Sequence, residues 1–335
     1  MILQDKLNRP LHDLRISVIA RCNLRCPYCM PKEQYPQQYK FLQKSDWLTF
    51  GEIIRLVRIF THLGVNKIRL TGGEPLLRPD LPNLLKQLHA LDGISDSALT
   101  TNGSLLKKYA KDLKSAGLKR LTVSLDTLDS RIFKHMSGRH GSVKTVLDAI
   151  DAGAQAGFES IKINVVVQKG VNDHTIIDLV EHFRGTPHVL RFIEYMDVGT
   201  CNHWNFKYVF SSKEILNLIS RDYPLEPVGS KYYGEVAKRY RYLDGKGEIG
   251  FISSVTQPFC RRCTRARLST DGKLFTCLFA TSGVDLRTPL REGASDSELL
   301  NIIQDIWQKR DDQYSELRST APNPSNKIEM FQIGG

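Results

Sequence analysis

The chain has 335 residues, 41% of them hydrophobic, enough for one large barrel domain or two ordinary domains around a buried core. No window approaches eighteen apolar residues, and the opening MILQDKLNRPLHDLR has neither the apolar core of a signal peptide nor the Arg- and Ser-rich, acid-poor bias of a transit peptide, so a cytoplasmic chain without a membrane span is expected. A formal net charge of +11 favours an anionic partner, and without a concentrated basic tail, a nucleic-acid-binding module or a basic amphipathic helix, that partner is expected to be a nucleotide rather than nucleic acid or a membrane.

From residue 13 to about residue 195, short β-branched runs alternate with helix-length amphipathic segments. The first strand spans 13–20 and is followed by a helix over 50–64. Strand 66–72 and helix 81–93 come next, then strand 94–102, helix 104–117 and strand 119–125. Helix 142–157, strand 160–168, helix 173–185 and strand 188–195 complete the series, and several helices end at or near Gly. The repeat implies a parallel sheet with right-handed crossovers, and the fold class expected is α/β, a partial barrel of six units. After residue 200 the rhythm breaks, and the aromatic, Gly-rich stretch 230–254 reads as antiparallel hairpins. Two units are therefore expected, a barrel over 1–225 and a separate C-terminal module over 226–335. The closing PNPSNKIEMFQIGG, with two prolines and Gly334-Gly335, reads locally as a loosely ordered extension.

The seven cysteines form two triads, Cys22/Cys26/Cys29 and Cys260/Cys263/Cys277, with Cys201 left over. Such spacing in a large chain indicates metal or cluster ligation rather than a disulfide framework. The first triad follows the first strand directly, at the edge where α/β proteins build their chemistry. Zinc would need four protein ligands, whereas a cubane iron–sulfur cluster accepts three cysteines and leaves one iron open. In the second triad thirteen residues separate Cys263 from Cys277, and no histidine follows His203. A carboxylate or Cys201 could complete a zinc site there, but a second cluster with an open iron is the preferred reading. Cys201 itself reads as a small buried apolar residue.

Two further patterns surround these triads. Thr71-Gly72-Gly73-Glu74-Pro75 ends the second strand, and paired glycines let a ligand approach the backbone closely. Between Gln257 and Arg291 stand seven cations (Arg261, Arg262, Arg265, Arg267, Lys273, Arg287, Arg291) against Asp271 and Asp285. Arginine forks match phosphate oxygens, and Arg265 and Arg267 share one face if that stretch is extended. Cations also fall on the predicted strands: Arg15, Lys67, Arg69, Lys162 and Arg191. An inward-facing basic set is costly without an anion, so a buried phosphate site is expected.

CNLRCPYC, with an aromatic before its last cysteine, resembles the signature of the radical S-adenosylmethionine (SAM) superfamily. With TGGEP, TTNG, CRRCTRARL and the terminal Gly-Gly, the whole chain is similar to the GTP 3′,8-cyclase family of molybdenum cofactor biosynthesis. The resemblance implies two [4Fe–4S] clusters, one on Cys22, Cys26 and Cys29 and one on Cys260, Cys263 and Cys277. It implies contacts to S-adenosyl-L-methionine from Tyr28, Gly73, Ser124 and Met196. It also implies contacts to GTP from Arg15, Lys67, Arg69, Thr100, Lys162, Arg191, Arg265, Ala266 and Arg267. Arg265, Arg267, Gly334 and Gly335 are implied to support catalysis.

In that family the radical generated at the first cluster removes the ribose 3′ hydrogen, the substrate radical attacks guanine C8, and the second cluster binds the purine edge. The implied product is 3′,8-cyclo-7,8-dihydro-GTP, passed on to a cyclic pyranopterin monophosphate synthase. A flavodoxin or ferredoxin is the implied reductant, and a homodimer is left open. Two rivals stand beside this reading: a peptide-modifying radical SAM enzyme whose second cluster relays electrons, and a non-catalytic iron–sulfur protein that binds RNA.

Overall fold

A computed structural model describes residues 3–318 and 326–334. The six expected strands are β1 (Asp13–Ser17), β2 (Lys67–Thr71), β3 (Asp96–Thr101), β4 (Arg120–Ser124), β5 (Ile161–Val167) and β6 (Val189–Glu194), and they pair in parallel in chain order. Their alternation places the core and the site on opposite faces. Along β5, Ile161, Ile163, Val165 and Val167 are buried against the helices, while Lys162, Asn164 and Val166 are turned the other way and only half-buried.

The helices between the strands are α1 (Phe50–His62), α2 (Leu81–His89), α3 (Leu106–Ser115), α4 (Ser130–Met136), α5 (Val143–Gln155) and α6 (Ile176–Phe183). A reciprocal capping box of Thr49 and Glu52 starts α1. The sequence reading did not include α4, although Asp129 caps it by accepting from the amides of Arg131 and Ile132.

The stretch after residue 225 does not build a sheet of its own. After α7 (Ser212–Ser220) come β7 (Leu225–Val228), β8 (Lys238–Tyr242), β9 (Glu248–Ile252), β10 (Arg265–Leu268), β11 (Lys273–Phe275) and β12 (Val284–Asp285). The expected hairpin is present, since β8 and β9 pair antiparallel. However, β9 also adds to β6 in parallel and β10 adds to β1 in parallel, so the C-terminal segment extends both edges of one twelve-stranded sheet. Ile249, Phe251, Ala266 and Leu268 share the apolar cluster of Leu14 and Leu121.

Among the named strands β9 and β10 do not pair with each other, and the barrel stays open along that seam. The helices α8 (Arg287–Arg291), α9 (Asp296–Lys309), α10 (Tyr314–Leu317) and α11 (Met330–Ile333) complete the chain. Trp307 on α9 is buried and donates its indole N–H to the Arg9 carbonyl at 3.1 Å, which ties the two ends of the chain together. Among the described residues no helix is long and apolar enough to cross a membrane.

Leu121 on β4 is fully buried and packs beneath Gly153 of α5. Leu121→Ala leaves a cavity between sheet and helix, and a loss of about 2–5 kcal/mol is expected in urea unfolding of the metal-free protein.

Candidate active site

The first cysteine triad leaves the carboxyl end of β1 as a loop tied to itself and to its neighbours. The amides of Cys29 and Met30 donate to the Cys26 carbonyl at 3.0 and 2.8 Å. Arg25, between the first two cysteines, donates to the carbonyls of Cys22 (2.8 Å) and Tyr35 (2.7 Å). The glycines of TGGEP serve this loop directly: the Gly73 amide donates to Ile19 at 2.7 Å and the Glu74 amide to Arg21 at 2.8 Å. A Cβ on Gly73 would overlap the Arg21 carbonyl, so the close approach expected of a ligand is here made by the backbone of the cysteine loop. Gly138, at φ +73°, meets the Arg25 carbonyl with equally little room.

Buried carboxylates hold this end in place. Glu74 accepts from the amides of Leu76 (3.1 Å) and Asn102 (2.8 Å) and from the Thr101 hydroxyl (2.7 Å), and burial raises its pKa to about 7. Asp126 accepts from the Tyr28 hydroxyl (2.8 Å) and the Val166 amide (2.9 Å), and burial raises it to about 6. Burial likewise pushes the Cys22 thiol up to about 11 and those of Cys26 and Cys29 further. Such thiols ionise when a metal centre supplies the compensating charge.

Because β10 runs parallel to β1, the Cys260–Cys263 loop that precedes it lies at the opposite end of the barrel. Cys277, which follows the antiparallel β11, comes to the same end. Two buried arginines from distant parts of the chain brace this loop. Arg9 donates to the carbonyls of Cys260 (2.9 Å) and Asp312 (2.7 Å), Arg310 donates to the Cys263 carbonyl (2.9 Å), and both pair with Asp5. Burial opposes ionisation of Cys263, but Arg265 and Arg310 outweigh it and bring the thiol down to about 6. All six cysteines of the triads are free of disulfides and line one cavity of about 300 Å³. Among the described residues no three His, Cys, Asp or Glu side chains are placed to hold a single metal ion. A cubane does not require that arrangement, since each of its cysteines binds a separate iron.

Between the two ends the strand register stacks charges in rungs. One rung is compensated: Arg265, Asp13, Lys67 and Asp96 are register neighbours, with Lys67 3.2 Å from Asp13. The next rung, Arg267, Arg15 and Arg69, contains no acid. Burial and then Arg69 and Arg265 pull Arg15 down to about 9, while burial and then Arg191 and Arg120 do the same to Arg69. Burial lowers Arg191 to about 10, and partial burial, then Arg191 and Arg120, brings Lys162 down to about 7. Arg69 donates to the Thr100 hydroxyl at 2.9 Å. The cavity is also lined by buried polar atoms with no hydrogen-bond partner among the described residues: Asn164 Oδ1, Arg191 Nε, Arg9 Nη2 and Ser254 Oγ.

Of the residues expected to meet the cofactor, Tyr28, Gly73, Ser124 and Met196 all line the cavity. Of those expected to meet the nucleotide, Arg15, Arg69, Thr100, Arg191, Arg265 and Arg267 line it. Lys67 and Lys162 do not; Lys67 is engaged with Asp13 and with the Tyr232 ring, 3.9 Å away. Ala266 faces the core instead. Gly334 is buried and its carbonyl accepts from Arg267, so the described part of the tail is docked rather than loose, contrary to the local reading. Gly335 lies outside the described residues. Cys201 is buried as expected but donates its S–H to Glu329 at 2.9 Å, so it is more than apolar filling. The sequence alone assigns no role to Glu74 and Asn102, which stand inside the TGGEP and TTNG motifs, or to Asp126 and Asn164, each two residues from an expected contact. Arg9 and Arg310 gave no local signal.

The depressed Lys162 sets a pH dependence. Its folded value near 7 lies below its ordinary 10.5, so between those limits the unfolded chain binds more protons and the folded state gains stability as pH rises. The thermal midpoint of the nucleotide-free protein is expected to rise from pH 7 to pH 9. Lys162→Met, or added inorganic triphosphate, should flatten that rise.

Residues 16–183 match the radical SAM superfamily, and residues 188–316 match the family described as Molybdenum Cofactor Synthesis C. The GTP 3′,8-cyclase of Xanthomonas axonopodis pv. citri is 51% identical over 333 residues, covering 99% of each chain. That of Staphylococcus epidermidis is 49% identical over 338 residues, covering 100% of this chain and 99% of its own. Among solved structures, SuiB of Streptococcus suis bound to S-adenosylmethionine superposes with a TM-score of 0.62 at 17% identity, over 94% of this chain and 69% of that one, a likeness of fold alone. With half its residues identical to those relatives end to end, the chain belongs to the GTP 3′,8-cyclase family of radical SAM enzymes, which work with S-adenosylmethionine and a [4Fe–4S] cluster.

Proposed function

We propose that the chain converts GTP to 3′,8-cyclo-7,8-dihydro-GTP inside the lumen between its two cysteine triads. One observation carries this reading: a rung of cavity-lining arginines, the buried Arg267 with the half-buried Arg15 and Arg69, lies between two sets of free thiols at opposite ends of one cavity. That arrangement suits a polyanionic substrate held between two iron–sulfur centres.

When bound at Cys22, Cys26 and Cys29, a [4Fe–4S] cluster with S-adenosylmethionine supplies the 5′-deoxyadenosyl radical for hydrogen abstraction from the ribose. The protein's part is to hold and orient. Tyr28, fixed by Asp126, together with Gly73, Ser124 and Met196, forms the wall for the cofactor at the carboxyl ends of the strands. Cys260, Cys263 and Cys277, on loops braced through Arg9 and Arg310, would hold a second [4Fe–4S] cluster, which would supply an open iron for the purine edge. Arg15, Arg69, Arg191 and Arg265 hold the phosphates, with Thr100 beside them and Lys67, Lys162 and the Ala266 backbone further out. Arg267 and the Gly334-Gly335 end support the reaction from the β10 side.

In the nucleotide the new bond joins ribose C3′ to guanine C8. The electron and proton that complete the dihydropurine come from outside the chain, with a flavodoxin or ferredoxin as the reductant. A cyclic pyranopterin monophosphate synthase consumes the product. The barrel over 1–225 supplies the radical end of the lumen, and the module over 226–335 supplies the substrate end; a homodimer is compatible with this division.

The decisive experiment is anaerobic cluster reconstitution followed by incubation with GTP, S-adenosylmethionine and dithionite. Cyclised nucleotide and GTP-dependent 5′-deoxyadenosine are expected; deoxyadenosine formed without regard to GTP, and no cyclised product, would refute the reading. The reconstituted chain should hold about eight irons and Cys260→Ala about four. Arg69→Leu should weaken GTP binding about tenfold to a hundredfold, the size of one lost charge-assisted contact, without changing the iron content.

A further inference from the structure

We infer that the loop Met196–Cys201, which presents Met196 to the lumen, is also the seat that positions the carboxyl-terminal segment, with Glu329 and Lys327 as the two positioning residues. The Glu329 side chain is buried at the start of α11. It accepts from the Thr200 amide (2.8 Å), the Thr200 hydroxyl (2.9 Å) and the Cys201 thiol (2.9 Å). Gly199, at φ +72°, lies so close beneath this carboxylate that a Cβ there would overlap Oε2. Two residues earlier, the buried Lys327 ammonium donates to the Asp197 carbonyl (2.6 Å), the Asp197 carboxylate (3.2 Å) and the Tyr314 hydroxyl (3.1 Å). Every one of these partners except Tyr314 lies between Asp197 and Cys201, immediately after the cofactor-facing Met196.

From that seat the segment reaches the other walls of the site. Phe331 packs on Ala20 and Met30 beside Cys22 and Cys29, with its ring centroid 4.9 Å from that of Tyr35. Met330 lines the cavity. Gly334, at φ +73°, abuts the Thr71 side chain where a Cβ would overlap it, and Arg267 donates to the carbonyls of Ile333 (3.3 Å) and Gly334. A helix of four residues has no stability of its own, so its conformation is imposed by these contacts. The consequence is a coupling: the two anchors that fix the segment also fix the Met196 loop, and they determine whether the Arg267 guanidinium meets the chain's own carbonyls. Loosening either anchor should loosen both walls together.

The test uses the reconstituted full-length chain and its Glu329→Leu and Glu329→Gln variants. Hydrogen exchange is read over 326–334 and 196–201, and kcat for cyclised nucleotide is read alongside iron content. In Glu329→Leu, exchange in both stretches should rise by about tenfold or more. Its kcat should fall by a comparable factor with iron content unchanged, and Glu329→Gln, which keeps an acceptor, should recover most of both. Exchange that rises over 326–334 alone, with 196–201 and kcat at parental values, would overturn the inference. If Glu329→Leu does not fold, Thr200→Val at an exposed position carries the same comparison with a smaller effect. The turnover readout rests on the cyclase reading and the exchange readout does not. A parent chain without cyclisation therefore counts against the former, while the exchange pattern still decides the latter.

Discussion

The parallel pairing of β10 with β1 governs the rest of the site. β1 sends its cysteine loop out from its carboxyl end, and β10, aligned beside it, receives a cysteine loop at its amino end. Two adjacent strands thus carry thiol triads at opposite ends of the same barrel, and the space between the triads becomes the lumen. The same register brings Arg267 next to Arg15 and Arg265 next to Asp13. Shifting the register by one residue would turn both arginines into the apolar core and Ala266 into the lumen.

Charge in that lumen is graded. Near the amino ends of the strands, Asp13 and Asp96 neutralise Lys67 and Arg120. One rung further in there are only cations, and burial together with mutual repulsion depresses their affinity for protons. Cations crowded along one cavity make a fold more stable with an anion among them than without one. The net charge of +11 therefore includes a set of cations enclosed in the barrel, where an RNA strand does not reach as it would a surface patch.

Buried carboxylates accepting backbone N–H groups recur at the strand ends. Glu74 holds Thr101 and Asn102 at the end of β3, and Asp126 holds Tyr28 and β5. Glu194 accepts from the amides of Ser212, Val255 and Thr256, and Glu329 holds the Met196 loop. Each ties a loop or an element end to its neighbours, so the cavity walls are held by side-chain acceptors as well as by the strand ladders. At the other end the Asp5, Arg9 and Arg310 network does the same for the second cysteine loop.

Much of this was legible in the sequence because it is local. Alternation gave six strands within a few residues of their observed ends, the CNLRCPYC spacing gave the first triad, and Arg265-Ala-Arg267 gave one face of β10. These are patterns of period and spacing within a single segment, which the chain carries whatever its surroundings. Tertiary structure alone decided how segments far apart meet: that β9 and β10 extend the barrel sheet instead of forming their own, that Lys67 is matched to Asp13, that Arg9 and Arg310 flank the second cysteine loop, and that the tail docks on the Met196 loop. Parallel pairing and buried ion pairs depend on register between residues separated by up to 305 positions, and no local periodicity records that register.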